Sequence, residues 1–308
     1  MRRKYSMLLI LIILVSTILP KNTSAAVTIG DTYHYKVVSS RISALAGSNS
    51  VKSRGIYFYG DNYPVGSIVD VYVTSIGDGF VANLSIGDNS RLYSYSMEYI
   101  KHILFDLLTM ASYYTYALIL SWNNAYFEEG FYLKLYPYIK PTEEYWSFLN
   151  DTGDLLVTEL KEYEDLGHSI KYDYLFEDSN NKIYFETWNK GQVNGEIDAV
   201  LGYPFGLPAN CYFENRFQIV FEKSTGLLLG MHLKGETKGE IDQGAVKINL
   251  NFKIEKTNYN LPLFKLANKT SLTIYIFIPI CSVAIGCGSY FIIRKIVRKR
   301  TTKETNAS

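Results

Sequence analysis

Residues 246–255, VKINLNFKIE, alternate without a break: Val246, Ile248, Leu250, Phe252 and Ile254 are apolar, and Lys247, Asn249, Asn251, Lys253 and Glu255 between them are polar. Successive side chains of a β-strand point to opposite faces, so this run buries one face and wets the other, as in an antiparallel strand. The same period of two recurs elsewhere. Val69, Val71 and Val73 share one side of a strand, Phe80, Ala82, Leu84 and Ile86 the next, then Ile170, Tyr172, Tyr174 and Phe176, then Phe217, Ile219 and Phe221. Turn residues separate these runs at Gly60 with Asp61, Gly77 with Asp78, Gly87 with Asp88, residues 178–181 and residues 224–226.

Helical signals cluster in the middle of the chain. Over 97–122 only Asp106 and the basic Lys101 are charged beyond Glu98, and His102, Asp106, Thr109 and Ser112 fall within about one third of a helical wheel. This predicts an amphipathic helix with a narrow wet stripe. Shorter helices are expected over 142–149, with Thr142 as N-cap and Glu143 and Glu144 in the first turn, and over 157–166. Strands, then helices, then strands predict an α+β domain: a curved antiparallel sheet, meander or half-barrel, packed on a central helical segment. One internal repeat stands out, with Lys190, Gly191, Gly195, Glu196, Ile197 and Asp198 recurring as Lys234, Gly235, Gly239, Glu240, Ile241 and Asp242. A solvated, charged strand edge explains its acidic pairs more simply than a calcium site.

The 308 residues carry 31 basic and 30 acidic side chains, a balance that hides a split. Setting aside four basic residues in 1–25, and six basic and one acidic in 294–308, leaves 21 basic and 29 acidic, a net of about −8. Nucleic acid is therefore not an expected partner, since phosphate recognition needs clustered positive charge. Residues 1–25 combine Arg2, Arg3 and Lys4 with an apolar run and small residues at its end, and read as a signal peptide. Residues 272–293 hold no charge over 22 positions, long enough for a bilayer core, and Arg294, Lys295, Arg298, Lys299 and Arg300 follow as an anchor flank. The expected organisation is signal peptide 1–25, outer β-rich domain 26–270, transmembrane helix 271–293 and basic cytoplasmic tail 294–308. The cell membrane is thus the expected location, with the lipid bilayer as one partner.

Little in the outer domain announces chemistry. Cys211 is its one cysteine, so no disulfide can form within it. The four histidines are scattered; His102 and Asp106 are one helical turn apart, but two ligands do not make a metal site. Nucleophile-elbow, phosphate-loop and dinucleotide fingerprints do not occur in 26–270, so no cofactor is expected and an enzyme is disfavoured. Glycosylation sequons start at Asn83, Asn150 and Asn268. Tyrosine is abundant, 27 of 308, and suits both strands and wet-edged binding surfaces.

Three segments carry a resemblance: Ile29, Gly30, Asp31, Thr32, Tyr33, His34 and Tyr35; the 141–149 stretch with Tyr145 and Trp146; and 221–228, leading through a strand to Asn260, Leu261 and Pro262. Together they resemble the archaeal, Asgard-type "choice-of-anchor" surface proteins. That resemblance implies a secreted β-rich domain ahead of an anchoring tail, and no assigned activity. A more distant, fold-level analogy is to half-barrel lipoprotein carriers, which hold an apolar ligand against a curved sheet. The expectation is a non-enzymatic surface binding module for an apolar ligand or another surface protein. In the ligand version Ile103, Leu107, Met110, Tyr114 and Leu118 line the cavity. The alternatives are a membrane-tethered hydrolase working through carboxylates such as Asp151 and Asp154, or an adhesin or structural coat component.

Overall fold

A computed structural model of the chain describes residues 26–47, 49–97, 99, 131–133, 135–164, 169–179, 181–196, 208–241 and 244–266. Strands β1 (Thr32–Ala46), β2 (Asn49–Arg54), β3 (Ile56–Phe58), β4 (Asp61–Tyr63), β5 (Ile68–Ile76), β6 (Gly79–Ile86), β7 (Asn89–Ser96) and β8 (Phe131–Tyr132) precede helix α1 (Glu143–Glu164). Strands β9 (Ser169–Asp178), β10 (Lys182–Glu196), β11 (Pro208–Glu222), β12 (Leu228–Ile241) and β13 (Gly244–Lys256) follow it. One ten-stranded antiparallel sheet runs β7-β6-β5-β1-β13-β12-β11-β10-β9, with β2 also paired to β1; β4-β3-β8 form a small second sheet.

Most neighbours in the sheet are neighbours in sequence, as short turns dictate. The exceptions are both at β1, which pairs with β5 and with β13; the β13 register runs from Tyr35↔Lys256 to Ala46↔Val246 and joins the two halves of the chain. On its other edge β1 serves two partners, β5 over residues 32–36 and β2 over residues 41–46. A register shift between Val37 and Ser39 changes which residues face inward, so Tyr35 and Val37 are followed by Ile42 and Ala44 on the same side.

That inner face carries the core. Val69, Val71, Val73, Phe80 and Ala82 from β5 and β6 meet Phe185, Ile219, Phe221, Ile248 and Ile254 from the other half in one contiguous buried cluster. Alternation predicted the runs of β5, β6, β11 and β13 as strands, and each is one. Burial of such side chains supplies about 1.5–3 kcal/mol apiece. The Tyr35 hydroxyl donates to the Leu228 carbonyl at 2.9 Å, stitching β1 to β12 across the core. Residues 137–139 cross this face and bind the β11–β12 turn: Leu228 N–H donates to the Pro137 carbonyl, and Ile139 N–H to the Gly226 carbonyl, both at 2.9 Å. Only glycine fits at 226, where φ is +72° and a Cβ would lie 1.7 Å from the Ile139 oxygen.

Helix α1 packs on β9 and β10. The Trp146 ring lies 6.0 Å from that of Phe221, and Leu149 is fully buried. The Thr142 carbonyl accepts from Trp146 N–H, which places Thr142 at the N-cap, although its hydroxyl bonds nothing among the described residues. Glu143 and Glu144 follow in the first turn, as the dipole favours. Where the sequence predicts two short helices, one continuous helix runs through Gly153. The missing side chain there admits the Tyr174 ring, since a Cβ would sit 2.4 Å from it.

The α+β expectation is corrected by these findings. Strand accounts for 65% of the described structure, and α1 at one end of the sheet replaces the expected central helical layer. The physical reason is strand length: β1, β10, β11 and β12 extend to 14 or 15 residues, well past the apolar runs that alternation marks, so pairing within the sheet takes up most of the described chain. The helix expected over 97–122 lies outside the described residues apart from Met97 and Tyr99. Among the described residues no helix is long and apolar enough to cross a membrane, so the transmembrane helix of the expected fold is not found there. Residues 271–293, to which the sequence assigned it, lie outside them, as does the flank Arg294, Lys295, Arg298, Lys299 and Arg300.

Candidate functional site

The inner face is apolar until it reaches the far ends of β9 to β12, where polar residues take positions that alternation assigns to the core. Cross-strand register aligns Tyr172↔Asn189↔Asn215↔Gly235 in one row. Thr187 stands in the row on one side, opposite Phe217, and Thr237 in the row on the other, opposite Phe213. Thr187 and Asn215 are 3% exposed and Thr237 2%. All three are thus as dry as the leucines around them.

Buried polar groups are stable where they find partners. Asn189 Oδ1 and Thr237 Oγ1 are buried and find no hydrogen-bond partner among the described residues. The Tyr172 hydroxyl is buried as well; burial drives its pKa well above the ordinary tyrosine value, while the Thr187 side chain beside it opposes the shift. Gly235 completes the floor. A Cβ there would come within 2.7 Å of Asn215 Oδ1, so its missing side chain is what lets the asparagine amide lie over the strand. Gly191, buried on β10, stands opposite Phe213 and in the same row as Thr237. Cys211 ends the polar stretch, 3% exposed, its Sγ 3.6 Å from the Glu240 carbonyl; burial pushes this thiol up and leaves it inert. Every side chain of this patch is uncharged, so it offers hydroxyls and amides to an occupant and no ion pair.

The opposite face of the same strands is a charge ladder. Glu214 accepts from Trp188 Nε1 at 2.9 Å and pairs with Arg216 at 2.6 Å, while the Lys190 ammonium lies 4.8 Å over the Trp188 ring. Partial burial raises the Glu214 pKa, but Arg216, Trp188 and Lys190 together outweigh it and hold the carboxyl low. On this outer side a cleft of about 570 Å³ lies among Lys36, Val38, Val65, Gly66, Lys256 and Tyr259. Its carboxylate, Glu255, is already taken by Lys253 at 2.6 Å and by the Leu261 amide at 2.7 Å.

The residues singled out in the sequence are placed unevenly. Ile103, Leu107, Met110, Tyr114 and Leu118 lie outside the described residues, as do Asn268, His102 and Asp106. Asn83 sits on the outer face of β6 and Asn150 half-buried in α1. Asp151 and Asp154 are exposed on α1, and Asp154 accepts from the Tyr174 hydroxyl at 2.7 Å; burial first, and then this bond, push that tyrosine up to about 12. His34 pairs with Asp70 at 2.6 Å in solvent. Among the described residues no group of three or more His, Cys, Asp and Glu side chains could hold a metal ion.

The inner polar row was missed in the sequence, yet two signals for it are present. Tyr172, Asn189, Asn215 and Thr237 occupy core positions of otherwise apolar alternation. The Lys-Gly repeat falls on β10 and β12, two strands apart and staggered by two residues, and puts both glycines on the inner floor. Compared with protein-family models and with curated proteins, the sequence matches none.

Proposed function

We propose that the chain is an exported surface protein, held at a membrane by the apolar run 272–293, whose β-sheet domain is a non-enzymatic binding module. The inner polar row receives an uncharged hydroxyl- or amide-bearing end of a ligand, and the apolar face beside it receives the ligand's body. The observation that carries this reading is the pair of buried atoms, Asn189 Oδ1 and Thr237 Oγ1, that find no partner among the described residues. Each costs about 1–3 kcal/mol when left unpaired, and an occupant that supplies the missing partner recovers that energy. Export and anchoring are supported by residues 1–25, by the charge asymmetry of 294–300 and by the likeness to "choice-of-anchor" surface proteins.

Native mass spectrometry of the full chain in detergent micelles tests the binding reading. The wild type is expected to carry a neutral polar or amphipathic molecule, and Thr237→Val to lose at least about tenfold in occupancy, the equivalent of one lost hydrogen bond of about 1.4 kcal/mol. A wild type with no bound molecule would sink it. Trypsin added to intact cells tests location: the domain should be degraded and residues 294–308 spared.

A further inference from the structure

We propose that Asn83 is an N-glycosylation site whose first sugar rests on a platform made by Tyr72 and Leu92. The inference rests on the reading that the chain is exported, since the sugar donor is met only on the export route.

The sequon Asn83-Leu84-Ser85 lies in β6, where alternation buries Leu84 at 3% exposure and turns Asn83 and Ser85 together to the outer face. Register sets Tyr72 of β5 directly opposite Asn83 on one side and Leu92 of β7 directly opposite on the other. Opposite residues of antiparallel strands bring their Cβ atoms to about 5 Å, so the three side chains form one continuous row. Tyr72 is 47% exposed and Leu92 64% exposed. Single exposed apolar side chains are ordinary on a protein surface. Two of them flanking the modifiable amide are what the CH face of a pyranose needs: an aromatic ring on one side and an aliphatic side chain on the other. The Asn83 side chain makes no hydrogen bond among the described residues, so its amide is not otherwise engaged.

The second described sequon lacks these features. Asn150 lies in α1 beside Leu149 and one turn from Gly153, both buried where the helix packs on the sheet, and the sequon's Thr152 is 3% exposed with its hydroxyl donating to the Phe148 carbonyl at 2.7 Å. A glycan there would obstruct the helix–sheet contact.

In the transfer step Asn83 Nδ2 attacks the anomeric carbon of a lipid-linked oligosaccharide. A C–N bond forms, the C–O bond to the lipid phosphate breaks, the amide loses one proton, and the lipid phosphate leaves; nothing is oxidised or reduced. Because β6 is paired on both edges in the folded sheet, the step belongs to the nascent chain, before β5 and β7 dock.

The full chain made in a yeast secretory host gives the test. Amidase release of glycans in ¹⁸O water, followed by peptide mass spectrometry, should label Asn83 and leave Asn150 unlabelled, and Asn83→Gln should lose the mass of one glycan. The glycosylated wild type should melt about 2 °C above its enzymatically deglycosylated form, and this gain should vanish in the Tyr72→Ser/Leu92→Ser double variant. A mature chain that has lost residues 1–25 yet keeps Asn83 bare overturns the proposal, as does a glycan whose removal leaves the melting point of wild type and double variant equally unchanged. A chain that retains residues 1–25 with every sequon bare overturns the export reading instead.

Discussion

At the scale of single residues, His232 shows how the sheet's outer face sets chemistry. Its Nε2 lies 2.9 Å from Asn251 Oδ1. Burial lowers its pKa from the ordinary histidine value of 6.5; the Asn251 bond and the Glu255 charge oppose this, and Lys253 and Lys234 add to it. The unfolded chain therefore takes up a proton near pH 6.5 that the folded protein refuses until lower pH. Stability from this group is complete above about pH 6.5 and declines as pH falls through that value toward the depressed folded pKa. Urea midpoints at pH 7.5 and 5.5 should differ in the wild type, and His232→Gln, which keeps a side-chain amide, should shrink that difference. Asp31 and Glu214, both held low, lose their contributions only below their ordinary values of 3.8 and 4.5, so the two windows are separable. Residue roles of this kind were not legible in sequence. His232 and Asn251 stand 19 positions apart and meet only because β12 and β13 pair.

At the scale of elements, α1 depends on one glycine in an unusual sense. Alanine in place of a mid-helix glycine ordinarily gains about 1 kcal/mol. At Gly153 the added Cβ meets the Tyr174 ring at 2.4 Å, the ring is fixed between β9 and the helix, and its hydroxyl is bound to Asp154. Gly153→Ala is therefore expected to destabilise by about 1–3 kcal/mol, the usual range for overpacking, as read from equilibrium denaturation. A stability gain instead would mean that the helix does not rest on β9. The helix N-terminus was legible from Thr142, Glu143 and Glu144, because capping is local. Continuity past Gly153 was not, because it follows from the shape of a side chain on another element. The strands with clean alternation, β5, β6 and β13, were legible for the same local reason.

At the scale of the whole molecule, the closure of β1 on β13 joins residues 200 to 221 positions apart and makes the ten-stranded sheet one unit. Native-state hydrogen exchange should find the slowest amides in the large-sheet strands with partners on both edges, β1, β5, β6 and β10 to β13, and the fastest in β4, an edge strand of the small sheet. Equal protection across both sheets would contradict this arrangement. Alternation along VKINLNFKIE determined by itself that Val246, Ile248, Leu250, Phe252 and Ile254 share a dry face, since side-chain direction in a strand follows from backbone geometry alone. The export proposal likewise rests on the terminal charge pattern, without any folded neighbour. Which strands lie side by side, that polar Tyr172, Asn189 and Asn215 form one row, and that Tyr72 and Leu92 flank Asn83 were decided only in the tertiary structure. Register between distant strands is set by the packing of the whole sheet, and no local run of sequence contains it.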